Sequence, residues 1–326
     1  MEKGLTDPRH YAAIAQVLRA NSADAEGQVK PADMAQKLQK MGDFRYGEGY
    51  NVGYDKGMDA GYSEGYGIAQ SLIDRSITSF SDDTAEVIGN AAFNLCTSLE
   101  SVECPKVTRI GETALAGCES LERVIMDNLT TADTGAFGNC VALTSVSFPK
   151  LTQSAKNLFR GCTALESVEL PAVEEIADSC FYGCTALSTF PNQSLHNVTD
   201  VALNSFYKCS ALRKIVMPQC TRIEGQAFMS CSGLQLVQMA DVTREDMVTS
   251  GYIGTLAFAN CGSLTTLVIR TPVTPLPLKN INALNGTPIA AGTGKIYVPS
   301  ALLDSYKSAT NWSYYADRIF AIPPDM

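Results

Sequence analysis

Residues 159–184 read FRGCTALESVELPAVEEIADSCFYGC. Phe159 and Cys162 open the stretch, and Phe181 and Cys184 close it one turn later. Leu165, Val168 and Leu170 follow the first cysteine by three, six and eight positions. Pro171 comes next, and Ile176 restores an apolar residue eight positions before Cys184. Val168 and Leu170 flank Glu169, an alternation that reads as one inward face of a short β-strand. Proline after the strand fits a place where no further ladder N–H is needed.

The same unit recurs in both directions. Cys96, Cys118, Cys140, Cys162, Cys184, Cys209, Cys231 and Cys261 lie 22, 22, 22, 22, 25, 22 and 30 residues apart. A fixed interval of this length is the signature of a structural repeat. Leucine stands three places after every one of them, at 99, 121, 143, 165, 187, 212, 234 and 264. Ala92-Phe93, Ala136-Phe137, Leu158-Phe159, Ser205-Phe206, Ala227-Phe228 and Ala257-Phe258 precede their cysteines; Ala114-Leu115 is the variant. Each unit is expected to contribute one short strand to a parallel sheet and one short helical turn at the Ala-Phe pair. No single coil can bury its apolar face, so stability must come from coil against coil. The stretch NQSLHNVTDVAL adds three residues and Asp241 to Gly254 adds eight, both expected to bulge from the edge of the stack.

The eight in-phase cysteines have three readings. They form a buried column of small side chains, each bonding a neighbouring backbone carbonyl; or they pair as disulfides down the column; or they hold zinc. The first is preferred. Column vectors are parallel and the total of 11 is odd, which argues against pairing. Zinc needs ligands that converge on a tetrahedron, and a linear column diverges. His10 and His196 have no ligand set around them.

A net charge of -9 gives the chain no electrostatic reason to hold nucleic acid or anionic lipid. No run of 18 apolar residues is present, so no membrane insertion is expected. MEKGLTDPRHYAAIAQVLRA lacks the apolar core of a secretory signal, so the general secretory route is not expected. HExxH, GxSxG and paired-carboxylate constellations are absent, which argues against an enzyme and against any cofactor or metal.

The pattern AFxxCxxLxxVxLPxV…I resembles the BspA-like leucine-rich repeats of bacterial proteins. The resemblance implies an α/β solenoid with one short parallel β-strand per coil, acting in adhesion and recognition. It covers residues 85–270 as about eight coils. The C-terminal segment KIYVPSALLDSYKSATNWSYYADRIFAI resembles the closing segment of such proteins. Residues 271–326 are therefore expected to cap the stack as a final strand, an amphipathic helix and a last strand, with Trp312, Tyr306, Tyr314, Tyr315 and Phe320 over its apolar end.

Residues 1–43 read as a small helical anchor module. Ile14, Ala15, Leu18, Arg19, Pro31 and Met34 resemble the N-terminal module of tail-associated and prophage-encoded proteins of gut bacteria. Residues 44–84 hold a tract of period four, with Tyr46, Tyr50, Tyr54, Tyr62 and Tyr66 beside Gly49, Gly53, Gly57, Gly61 and Gly65. Such a period puts the two residue types on adjacent helical stripes. Five glycines weaken an isolated helix, so close packing against copies of the chain is one reading and a flexible spacer the other. The first implies a homo-oligomer, and the resemblance to tail-associated proteins implies a trimer in slight preference to a dimer.

These observations point to a non-enzymatic recognition protein. A phage tail or virion component, contacting other virion or tail proteins through its N-terminal region, is one setting. A cell-surface or secreted adhesin is the other. Location follows: on the virion if phage-encoded, otherwise extracellular or at the cell surface. The partner is a host surface protein or glycan. The last coils are the more apolar on the outer strand face, so Lys214, Val216, Leu236, Gln238, Thr266 and Val268 are the candidate binding face.

Overall fold

The computed structural model describes residues 75–191, 194–241 and 251–325. The helical module and the Tyr/Gly tract, from Tyr46 to Tyr66, lie outside the described residues, and so do the tips of the two insertions.

The chain winds as a leucine-rich β-solenoid. Its long ladder starts at β1 (Ser79–Ser81), ahead of the position where the repeat pattern becomes legible. The strands that follow fall on two different sides. The long side carries β3 (Ser101–Glu103), β5 (Arg123–Ile125), β7 (Ser145–Ser147) and β8 (Ser167–Glu169). It continues through β11 (Lys214–Met217), β13 (Leu236–Met239), β15 (Thr266–Ile269), β16 (Lys295–Val298) and β17 (Ile319–Ala321). All pairings are parallel, and Ser167 bridges to Thr189 in the coil that carries no full strand. The inward residues Val102, Val146, Val168, Ile215, Val237 and Leu267 are buried in one continuous core.

A second ladder departs from the expectation of one strand per coil. It consists of two-residue strands at the Ile/Val position: β2 (Val87–Ile88), β4 (Arg109–Ile110), β6 (Thr131–Ala132), β9 (Glu175–Ile176), β10 (Asp200–Val201), β12 (Arg222–Ile223) and β14 (Tyr252–Ile253). Where the coil between β6 and β9 has no strand, Ser154 stands in. Its hydroxyl donates to the Glu175 carbonyl at 2.8 Å and accepts from the Ala177 N–H at 2.7 Å. Both insertions leave this register intact, since Glu175 pairs Asp200 and Arg222 pairs Tyr252.

The third side is not a helical turn either. Each coil places a left-handed residue five positions and one position before its cysteine. Ala91 and Leu95, Thr113 and Gly117, Ser179 and Gly183, and Asn204 and Lys208 are examples. Successive coils bond there through N–H groups that point along the stack: Phe159 to Cys180, Phe181 to Ser205, Phe206 to Ala227, at 2.7–2.8 Å. A helix would direct those N–H groups into its own preceding turn. The stack offers them a neighbour instead, and this repays the left-handed strain of about 1–2 kcal/mol at a non-glycine residue.

Two buried columns run behind this side. Phe137, Phe159, Phe181, Phe206, Phe228 and Phe258 stack with centroids 4.9–5.5 Å apart. Beside them, each column cysteine from Cys118 onward donates its thiol to a carbonyl of the preceding coil. Cys162 reaches Phe137, Cys184 reaches Phe159 and Cys231 reaches Phe206, at 3.0, 3.0 and 2.9 Å. All eleven cysteines are free and buried. Burial pushes the Cys96 thiol up to about 11 and the Cys104 thiol up to about 12. The thiolate is the reactive form, so both burial and suppressed ionisation protect them. At pH 8 the folded protein should leave Ellman's reagent unreacted, and denaturant should release all eleven thiols. Stoichiometric reaction of the native chain would show that the column is open to solvent. Because the raised thiols stay protonated when folded, their contribution to stability is complete below the ordinary value of 9.0 and declines as pH rises through it.

The C-terminal segment extends the long ladder by β16 and β17 and buries three aromatic side chains. Tyr306 lies on helix α1 (Leu303–Ser308), and Trp312 and Tyr315 on a 3-10 helix (Trp312–Arg318). All three are fully buried, and the Trp312 indole N–H donates to the Leu276 carbonyl at 2.6 Å. Tyr314 and Phe320 do not join them: they are 60% and 41% exposed.

Candidate functional site

The outer face of the long ladder is two rows of side chains, set one strand apart by the parallel register. Its first half is mostly polar: Ser101, Glu103, Arg123, Ser145, Ser147, Ser167, Glu169 and Thr189, with half-buried Ile125 as its aliphatic member. The charges here are satisfied within the face. Arg123 pairs with Glu103 at 3.4 Å, and the Ser147 hydroxyl donates to Glu169 at 2.9 Å.

The second half differs. One row runs Lys214, Leu236, Thr266, Lys295, and the other runs Val216, Gln238, Val268, Tyr297, Phe320. Five of the six residues picked from the sequence are at least partly accessible: Lys214 and Val216 are exposed, and Leu236, Gln238 and Thr266 half-buried. Val268 is the exception at 1% exposure. It stands in register between Gln238 and Tyr297, so a short branched side chain sits in the trough between two longer ones.

Three members were not foreseen. Lys295, Tyr297 and Phe320 belong to a segment whose aromatics read as a cap. Yet β16 and β17 continue the ladder, and Tyr297 pairs with Phe320. Their rings are tilted with centroids 6.3 Å apart, and the Lys295 ammonium stands 5.4 Å from the Phe320 ring. The signal available was the alternation Lys-Ile-Tyr-Val, which matches that of the preceding strands. The face therefore offers a branched aliphatic, two aromatic rings and two ammonium groups. Among the described residues Lys214 has no ion pair. These groups can bind by apolar contact, ring stacking and charge.

No group of three or more His, Cys, Asp or Glu side chains among the described residues is arranged to hold a metal ion. A shallow hollow near the C-terminal end is lined by Gly262, Gly286, Thr287, Pro288, Ala290, Ala291 and Thr293, none of which is titratable. No helix among the described residues is long and apolar enough to cross a membrane.

The BspA type leucine rich repeat region matches residues 74–188 and 153–279, well over half of the chain. No curated protein matches it. Among solved structures, a leucine rich cell surface protein from Faecalibacterium prausnitzii is 22% identical, with 76% of this chain and 78% of that one covered and a TM-score of 0.32. A leucine-rich repeat protein from Eubacterium ventriosum is 17% identical over 70% of this chain and 67% of that one, with a TM-score of 0.41. The T. pallidum leucine rich repeat protein is 26% identical over 41% of this chain and 78% of that one, with a TM-score of 0.32. Repeats of this type form a non-catalytic scaffold for interaction with other molecules. The chain belongs to the BspA-type leucine-rich repeat family.

Proposed function

We propose that the chain is an adhesion and recognition protein that engages a host surface protein or glycan through the outer face of β11, β13, β15, β16 and β17. The observation that carries this reading is the asymmetry of the long face. Its first half pairs its charges internally, whereas its second half presents Lys214, Val216, Tyr297 and Phe320 on rigid, in-register strands. Aromatic and aliphatic side chains clustered beside cations are what interface centres are made of.

Display at a bacterial surface is the setting that supports the family reading best, because BspA-like repeats serve bacterial adhesion. A second setting rests on residues 10–41. Their resemblance to tail-associated modules favours a virion component, anchored through that region and presenting several solenoids together for avidity. The Tyr/Gly tract is the oligomer contact in that reading.

The test titrates labelled full-length protein onto host epithelial cells, beside a variant carrying Val216→Asp, Tyr297→Ser and Phe320→Ser. The variant should bind about tenfold more weakly or worse, the loss that one or two hot-spot side chains produce. Equal binding by a folded variant removes this face from the function. Immunogold labelling separates the settings, on cell envelopes in one and on particles in the other.

A further inference from the structure

The turn side of the solenoid carries a second ordered surface, unrelated to the strand face. In the middle coils the position two before the column cysteine is accessible at Arg160, Tyr182, Tyr207 and Met229, whereas Gly138 and Ala259 are buried. Tyr182 and Tyr207 stack, with centroids 4.8 Å apart and planes 11° from parallel. The Arg160 guanidinium lies 4.1 Å from the Tyr182 ring, and the Lys208 ammonium 5.4 Å from the Tyr207 ring. Arg160 and Lys208 are exposed, and both tyrosines are half-buried, so ring edges and hydroxyls face solvent.

The electrostatics of this strip oppose those of the chain. The protein carries a net charge of -9. Yet from two before to two after the cysteine, in the coils of Cys140, Cys162, Cys184, Cys209 and Cys231, there is no carboxylate. Arg160 and Lys208 are the charged residues of the strip, and Arg213 folds onto its border to donate to the Ser210 carbonyl at 3.2 Å. The flanking acids lie outside it. Glu166 is four positions past its cysteine, and Asp178 is neutralised by Lys156 at 3.2 Å.

The ridge also has a notch. Gly183, with a φ of +76°, stands beside Tyr182, and a Cβ there would meet nothing within 4 Å. One coil earlier Gly161 has no such room, because the Asn139 side chain leans over it. One coil later Lys208 occupies the same column. The result is a bare stretch of backbone walled by tyrosine and bounded by an amide and an ammonium. Exposed Thr163 and Thr185 add hydroxyls along its border.

We propose that this ridge binds an acidic saccharide, a sugar ring bearing a carboxylate or sulfate. The cations fixed against the tyrosine rings take the anionic group, and the ring edges and hydroxyls take the sugar. Cations held over aromatic faces lose little freedom on binding, so each charge contact retains more of its energy. The chemistry selects against neutral glycans, which leave Arg160 and Lys208 without an anion. It also selects against extended acidic peptides, which have no compact ring to fill the Gly183 notch.

The experiment measures binding of the full chain to immobilised sialylated, sulfated and neutral glycans, with polyglutamate as the peptide control. Sialylated or sulfated glycans should bind, and binding should weaken with salt, as surface charge contacts do. Arg160→Glu with Lys208→Glu should weaken it by about tenfold or more. Lys208→Gly should weaken it too, and that variant keeps the fold because glycine suits the left-handed backbone at 208. The proposal is overturned if neutral glycans or polyglutamate bind as well as acidic glycans, or if the charge-reversed protein binds them undiminished.

Discussion

Replacing Phe181 by alanine should lower the free energy of unfolding by about 3–5 kcal/mol, the range for a large aromatic removed from a packed core. Phe181 is fully buried and sits in mid-stack. Its ring is sandwiched between Phe159 at 5.5 Å and Phe206 at 5.2 Å, and meets the edge of Phe190 at 5.9 Å. Its N–H donates to Ser205, and its carbonyl accepts the thiol of Cys209 at 3.2 Å. Collapse into the cavity is opposed from both sides, because the neighbouring coils are held apart by their own backbone ladders. A solenoid transmits stability only between nearest neighbours, so a defect at this level also uncouples the two halves. Urea unfolding followed by circular dichroism should shift to lower midpoint and broaden. A shift below about 1 kcal/mol would mean that the phenylalanine column is not what holds adjacent coils together.

The phenylalanine, cysteine and leucine columns were legible because each slot admits one kind of side chain. Cys162 and Leu165 have the same neighbours as Cys184 and Leu187, so chemistry repeats with geometry. The second ladder was not legible as strand. Two residues such as Arg222–Ile223 contain one inward position, and a single position has no period. The left-handed turns were hidden for a different reason. Leu95, Thr113, Lys208 and Leu256 occupy positions where glycine would be the signal. Stacking, a long-range cause, imposes that conformation on them.

The candidate face was legible in part, for the same kind of reason. Alternation correctly gave the outward row, but exposure depends on the neighbours in the row, and Val268 is shaded by Gln238 and Tyr297. Phe320 was expected in a last strand but over the apolar end, and that strand instead turns it outward. The Arg160–Tyr182–Tyr207 ridge has a column spacing of 22 and 25 residues, like the cysteines. It was visible in principle, but a row occupied by glycine, arginine, tyrosine and methionine shows no shared chemistry.

The cap should fail before the coils when Tyr306 is replaced by alanine. The Tyr306 hydroxyl bonds the Thr271 hydroxyl at 2.8 Å and accepts the Leu276 N–H at 2.9 Å, all within the buried core. Removing the side chain leaves a cavity worth about 3–5 kcal/mol and strands a buried N–H worth about 1–3 kcal/mol more. Trp312 loses the ring it meets edge-on at 5.6 Å, and its own bond to Leu276 loses support from the segment Tyr306 anchors. Trp312 is the single tryptophan of the chain, so its emission reports the cap alone. In the variant, Trp312 fluorescence should shift to the red at lower urea than the loss of circular dichroism, whereas in the parent protein the two should lie closer together. Opening the cap uncovers the ends of the columns at Phe258, Leu264, Leu267 and Ile269, an apolar patch that drives self-association. Light scattering of the variant should therefore rise within the window between the two transitions. Coincident transitions with no rise in scattering would show that the cap and the coils unfold as one unit, and that Tyr306 is not the residue that joins them.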